Sequence, residues 1–342
     1  MQRQQLYNLL TVILLFAITG AILLYAEFVA SNYVQRIIVI LGINMILVVS
    51  LNLSNGFTGV FSLGHIGFMA IGAYTAALLT LPISMKKVNL PDLPAWLSGV
   101  EMSLLPATLI GGLLAVVIAF LVGLSLMRLS GPYVSVATLG FLVIVQVVLV
   151  NWDAVTRGAR TFSGVPGHTD QWWVWGWVVV TVYIVWRVVR SSFGRGMMAG
   201  RDNEIAAQAL GINIMRSRLL AFCMSAFFTA VAGSLWAHFI MSFSPKSFYF
   251  VQAFTIITML AVGGLGSVSG SIVGTLLITV LSEVLRNAER GIGLGFLTIP
   301  PVYGASQILM SVILVLVIVL RPKGLLGNRE IDFNRLWSRL LP

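Results

Sequence analysis

Charge is scarce in this chain: 9% of its 342 residues are Asp, Glu, Lys or Arg, against about 25% in soluble proteins. That scarcity excludes a water-soluble globule. Cysteine is scarcer still, with Cys223 alone inside an apolar run, which excludes an intrachain disulfide and a cysteine-built metal site. The sequence holds no Walker-type loop, and no nucleophile, base or metal-ligand cluster lies within reach in sequence. The chain is therefore expected to be no enzyme, with no catalytic residue, no metal and no cofactor of its own. Ionisable groups inside the apolar runs are nearly missing too: Glu27, Arg36 and Glu283 fall near run ends, where they can snorkel, and His65 and His238 are lone imidazoles. A proton-driven carrier wants a titratable carboxylate at mid-span, and none is visible.

What remains is apolar. Hydrophobic residues make up 58% of the chain, enough for about ten crossings at about 20 residues each. Apolar runs at 9–27, 34–53, 63–81, 104–127, 133–150, 173–190, 219–241, 251–264, 268–285 and 304–320 predict an all-α polytopic membrane protein with ten transmembrane helices. The stretches left over are short, so residues 1–342 are expected to form a single transmembrane domain. The first run exceeds the core of a cleaved signal peptide, about 7–15 residues, and is expected to be a retained span. The net charge of +10 reads as orientation rather than as nucleic-acid binding. With ten spans, thirteen of the 21 basic residues fall on the side of both termini, six of them in the loop 191–217 and its flanks and five in the tail 321–342. Both termini are expected to be cytoplasmic.

Two glycine-rich stretches interrupt the runs. Gly56, Gly59 and Ser62 share the spacing Gly-x-x-Gly-x-x-Ser with Gly263, Gly266 and Ser269, an echo that an internal repeat of transporter type would leave. Around the first lie Asn52, Asn55, Thr58 and His65. Two readings stand side by side for these residues: tight helix packing, in which small residues let backbones approach and hydroxyls bond across helices, or a loosened segment lining a polar solute's route. On the second reading Asn52, Asn55, Thr58, Ser62, His65 and Ser269 line the route or its gate. The region 54–62 is either a short cytoplasmic turn or a non-helical entry buried in protein.

A chain with neither a nucleotide motif nor an ion-coupling carboxylate cannot drive uphill transport; a partner must supply the differential affinity between states. The loop 191–217 is the candidate lever. Following Arg201, residues 202–210 predict a short helix with Asp202 and Glu204 in its first turn, where acids suit the dipole, and Gly211 as its stop. Ile205, Ala209 and Leu210 form a small apolar stripe that can lie on the membrane surface or fill a partner's groove, and the helix's mixed charge and alanine content weaken the first option.

Four segments carry a family resemblance: GFTGVFSLGHIGFMAIGAY at 56–74, RDNEIAAQALGIN at 201–213, GGLGS at 263–267 and RPKGLLG at 321–327. In order and spacing they resemble the LivM-type permease of branched-chain amino acid ABC transporters, over about residues 35–327. The resemblance implies a multi-pass subunit of the bacterial inner membrane, pairing with a related second permease, two cytoplasmic ATPase subunits that use ATP and Mg, and a periplasmic binding protein. It also implies that Glu204, Ala206, Ala207 and Gly211 belong to a coupling loop docked into the ATPase, with Arg201 and Asp202 beside them. Ile205 separates the acid from the alanine pair, a departure from the general importer pattern, and Arg157 and Arg160 depart from the family's usual loop after the fifth span.

The expected function is thus translocation of Leu, Ile and Val on ATP hydrolysed by partners, with membrane lipid around the chain and no nucleic acid bound. The rivals are the same class of permease carrying urea, amides or aromatic acids; an ion-coupled carrier, disfavoured by the missing carboxylate; and a channel or a membrane enzyme, the enzyme version lacking any reactive cluster within reach in sequence.

Overall fold

The computed structural model describes residues 20, 23–25, 27–28, 30–129, 131–289, 293–294, 297–298, 304–321, 324–327 and 330. Apart from those positions, the expected first span at 9–27 and the tail 321–342 lie outside the described residues.

Long apolar stretches must satisfy their backbone internally in lipid, and they do so as helices. These are α1 (Asn32–Asn52), α2 (His65–Thr80), α3 (Leu104–Leu126), α4 (Pro132–Asn151), α5 (Gln171–Arg190), α6 (Ser192–Asp202), α7 (Glu204–Ala209), α8 (Ile214–Ile240), α9 (Phe250–Gly263), α10 (Val268–Glu289) and α11 (Ala305–Leu320). Nine of the ten predicted runs coincide with a helix. Among the described residues, seven helical stretches are long and apolar enough to cross a membrane, and an eighth pair, α2 with Ile83–Asn89, bends by 116°. The chain is an all-α polytopic membrane protein.

The core is set by residue size. The apolar windows of α1 and α8 are 72% and 78% buried, against 33% for α3 and 22% for α5, which places the first two at the centre. In lipid, burial of apolar surface does not favour one helix neighbour over another, so close backbone approach and interhelical hydrogen bonds decide who packs with whom. On α2 and α8 this is extreme. A Cβ built on Gly72 would lie 2.1 Å from Ala230 O, and one on Gly233 would lie 2.0 Å from Met69 O, so the two backbones touch. Polar pairs pin α8 to its neighbours: Thr108 on α3 and Ser234 hydroxyls meet at 2.7 Å, and His238 Nδ1 donates to Ser234 O at 2.7 Å, leaving Nε2 to accept from Thr80 Oγ1 on α2 at 2.7 Å. Ser50 and Thr229 hydroxyls, 3.0 Å apart, join α1 to α8, and Asn44 reaches Thr279 to join α1 to α10.

At one end of the bundle, β1 (Phe162–Ser163) pairs antiparallel with β2 (Ser242–Phe243). Phe162 and Phe243 stack at 5.7 Å, and Tyr74 meets both edge-on, at 5.7 and 5.0 Å. Arg157, one of the two unexpected arginines, holds this loop by donating to Thr161 O and Ser163 Oγ. Residues 52–64, 192–211, 262–269, 325–326 and 330 are linked to one another by hydrogen bonds.

Candidate functional site

The polar linker 191–213 builds the lever from two helices rather than the single one expected at 202–210. Asp202 ends α6, and Asn203 takes an extended conformation (φ −156°, ψ 106°) from which its Oδ1 accepts the Ala206 amide at 3.0 Å. Asn203 is thus the cap of α7, and Glu204 alone occupies the acidic first turn. Asp202 instead pairs with neighbouring Arg201 at 2.9 Å. At the other end Gly211 adopts φ 81°, with its amide bonded to Gln208 O at 2.9 Å and that of Ile212 to Ala207 O at 3.0 Å. That double bond pattern is the Schellman motif, which needs a left-handed residue that glycine adopts without strain. Ala207 is buried, whereas Ile205 and Leu210 are 82% and 81% exposed. Among the described residues nothing covers these two large aliphatic side chains, one on the short helix and one at its C-cap.

The lever is tied to the bundle at two points. Glu204 receives Arg218 Nη2 at 2.8 Å and Nη1 at 3.4 Å, a two-pronged pair that joins α7 to the first turns of central helix α8. Arg201 Nη1 donates to Gly56 O at 3.0 Å, and its aliphatic stem lies against Gly59, whose φ is 72° and where a Cβ would come within 2.8 Å of Arg201 Cγ. A side chain at 59 would therefore wedge the lever off the bundle.

The segment that Arg201 touches is a mostly buried entry, π-helical and then irregular, with Gly59 and Phe61 exposed. α1 runs into a π-helical turn at Leu53–Phe57, and residues 58–64 are irregular before α2 begins at His65. At about 24 Å, α2 is shorter than the apolar layer is thick. The backbone of the entry survives because side chains stand in for a helix. Asn55 Oδ1 accepts from Ser62 N at 3.0 Å and Nδ2 donates to Ser62 O at 3.2 Å; Thr58 Oγ1 donates to Ser54 O at 2.6 Å; Thr138 Oγ1 accepts from Leu63 N at 3.0 Å. His65 completes the set. Ser225 Oγ donates to Ser50 O at 2.5 Å, so at 2.7 Å it accepts from His65 Nε2, and His65 Nδ1 accepts from Ser62 Oγ at 2.9 Å. Asn55, Thr58, Ser62 and His65 are all buried, and their polar atoms are engaged within the chain.

The second glycine stretch meets the first. Asn52 Oδ1 accepts from Gly266 N at 2.9 Å, and Nδ2 donates to Ser267 O at 2.9 Å and Ser271 Oγ at 2.8 Å, so one amide spans the break between α9 and α10. Ser269 touches this break through Ser267, whose hydroxyl lies 3.1 Å from its own, and its hydroxyl and its amide bond Glu330, at 2.6 and 2.9 Å. The structure thus gathers Asn55, Ser62 and His65 into one network and sets Asn52 beside the partner break. Arg218, Ser225 and Glu330 escaped the sequence reading. Arg218 carried a signal, a second arginine in the first turns of a helix just after the lever; Ser225 and Glu330 carried none.

A cavity of 750 Å³ lies between α2, α3 and α4, lined by Tyr74, Ile118, Phe141 and Ile144 among others, and by none of the expected route residues. Among the described residues no group of His, Cys, Asp or Glu is placed to hold a metal ion.

The family described as "Branched-chain amino acid transport system / permease component" matches residues 33–320. The high-affinity branched-chain amino acid transport system permease protein LivM of Escherichia coli is 30% identical over 333 residues, covering 87% of this chain and 71% of that protein. LivM of Salmonella typhimurium is 28% identical over 318 residues, covering 83% and 68%. The autoinducer 2 import system permease protein LsrC of Klebsiella pneumoniae is 28% identical over 179 residues, 48% of this chain and 50% of that protein. No solved structure matches the chain.

Proposed function

Because the chain belongs to the permease-component family of branched-chain amino acid transport systems, as an ABC-type permease and a multi-pass protein of the inner membrane, we propose that it carries Leu, Ile and Val into the cell on ATP hydrolysed by two partner subunits. ATP and Mg are bound by those partners, and a periplasmic receptor delivers the amino acid to this chain and a related second permease. Ten spans, with both termini and the lever 191–217 on the cytoplasmic side, make up its one domain.

The observation that carries this reading is the lever itself: a capped short helix with exposed Ile205 and Leu210, fixed to α8 through Glu204–Arg218 and to the glycine entry through Arg201–Gly56. ATPases that close on nucleotide would pull α7, and both ties pass the displacement inward. A ligand-driven change of state requires such a differential contact. Arg201, Asp202, Glu204, Ala206, Ala207 and Gly211 form the coupling surface, with Asp202 steadying Arg201. Asn52, Asn55, Thr58, Ser62, His65 and Ser269 hold the gate region in this conformation; the apolar cavity beside Tyr74 suits aliphatic cargo.

LsrC names a different cargo for a relative matching half of the chain, so cargo is the finer question. Titration of the cognate receptor with leucine, urea, short amides and an aromatic acid answers it, and tight binding of anything but a branched aliphatic amino acid would reassign the substrate. Concentrative leucine uptake is expected in proteoliposomes holding the complete transporter and ATP.

A further inference from the structure

The break between α9 and α10 is fastened from outside by a segment far away in sequence. Leu325 N donates to Val262 O at 2.9 Å and Leu326 N to Gly263 O at 3.2 Å, covering last-turn carbonyls of α9. Gly327 lies so close that a Cβ on Gly264 would meet its carbonyl oxygen at 2.8 Å. On the other side of the break, the Glu330 carboxylate takes Val268 N at 2.6 Å, Ser269 N at 2.9 Å, Ser269 Oγ at 2.6 Å and Ser267 Oγ at 3.3 Å. Donors thus meet the negative end of one helix and an anion meets the positive end of the next.

The α10 helix does not need Glu330 in order to start. Ser267 Oγ already accepts the Gly270 amide at 3.0 Å, which is local N-capping. The carboxylate adds a second, long-range fastening to a helix with no acid in its first turn. The break it spans is built on Gly264 and Gly266, at φ 125° and 81°, and its Gly266 amide is held by Asn52, one turn before the Gly56 carbonyl that Arg201 holds.

We propose that the segment carrying 324–327 and Glu330 is a latch: the seated carboxylate fastens the α9–α10 break in this conformation, and its release and reseating belong to the transport cycle. The path from lever to latch is continuous, Arg201 to Gly56, Asn52 to Gly266, and Ser267 to Glu330. Displacement of α6 by the ATPases therefore strains the seat. The inference rests on the lever reading above.

The test uses the complete transporter in proteoliposomes. With Cys223→Ser as background, Ser269→Cys and Glu330→Cys are joined by a short, reducible bifunctional thiol reagent. Uptake is expected to fall at least tenfold when the tail is tethered and to recover on reduction, relative to the same protein left unlinked. Uptake at the unlinked rate while tethered would overturn the latch. Glu330→Gln, which keeps the shape and drops the charge, is expected to raise receptor-independent ATP hydrolysis relative to the stimulated rate by about tenfold, the scale of one charge-assisted hydrogen bond; an unchanged ratio would likewise count against it. Glu204→Arg in the same assay separates the two claims. If it abolishes stimulation while the tethered transporter works normally, the latch alone fails; if stimulation survives it, the lever reading fails first.

Discussion

Asn52 shows how much one side chain can hold in a membrane interior. Fully buried, its amide makes three bonds to the far break. Asn52→Ala strands Gly266 N, while Ser267 O and Ser271 Oγ keep their bond to each other; the expected loss is about 1–3 kcal/mol, read as a lower temperature of thermal inactivation in detergent. In the Glu204–Arg218 pair the glutamate side chain is 41% exposed and the arginine 15%; a pair open to solvent on one side contributes about 1 kcal/mol or less to stability, so Glu204→Arg should insert and fold normally. It should still uncouple ATP hydrolysis from receptor binding, and Arg218→Glu added to it should restore stimulation. Stimulation that stays intact in the single variant would show that the tie transmits nothing. At this scale the sequence was legible where chemistry is local: Thr58 bonding back to Ser54 O and His65 bonding Ser62 are three- and four-residue relations. It was silent on Ser225 and Glu330, whose partners lie 160 and about 61 residues away.

Helices were easier to read than their joints. Apolar runs fixed α1 to α5 and α8 to α11 to within a few residues, because lipid leaves a long apolar stretch no other way to satisfy its backbone. The lever was misdivided because Arg201, Asp202 and Asn203 offer more than one residue able to cap a helix, and only the extended backbone of Asn203 decides between them. Gly211 was recognisable as a stop, and its φ of 81° makes Gly211→Pro incompatible with the motif. That variant is expected to insert in the membrane at normal yield and lose ATPase stimulation, measured on the reconstituted complex. Ile205→Glu with Leu210→Glu tests the exposed stripe more gently: both side chains already face outward, so stability should hold within about 0.5 kcal/mol while co-purification of the ATPase subunits drops sharply. Retention of the ATPases would move the docking surface elsewhere.

Across the molecule, the outer helices present aliphatic surface to their surroundings. Val136 and Val147 on α4 and Val319 and Leu320 on α11 are exposed, as suits contact with lipid or with a second permease. The whole-molecule prediction follows from chemistry as much as from shape: the chain alone in liposomes should accumulate no leucine under any ion gradient, because it holds no nucleotide loop and no carboxylate at mid-span. Gradient-driven accumulation by the lone subunit would return the ion-coupled carrier to first place. The span pattern and polar motifs were legible at this scale too; the meeting of the two glycine stretches was not, because equal spacing in sequence says nothing about adjacency in space.

The contact between α2 and α8 has a further consequence. Where Gly72 and Gly233 bring two main chains together without side chains between them, there is no layer of rotamers to absorb sliding. The pair must travel, or stay put, as one rigid plank. Deuterium uptake should reveal it as a stator: amides flanking Gly72 and Gly233 would be the last to exchange, at the same rate whether the transporter is resting or turning over.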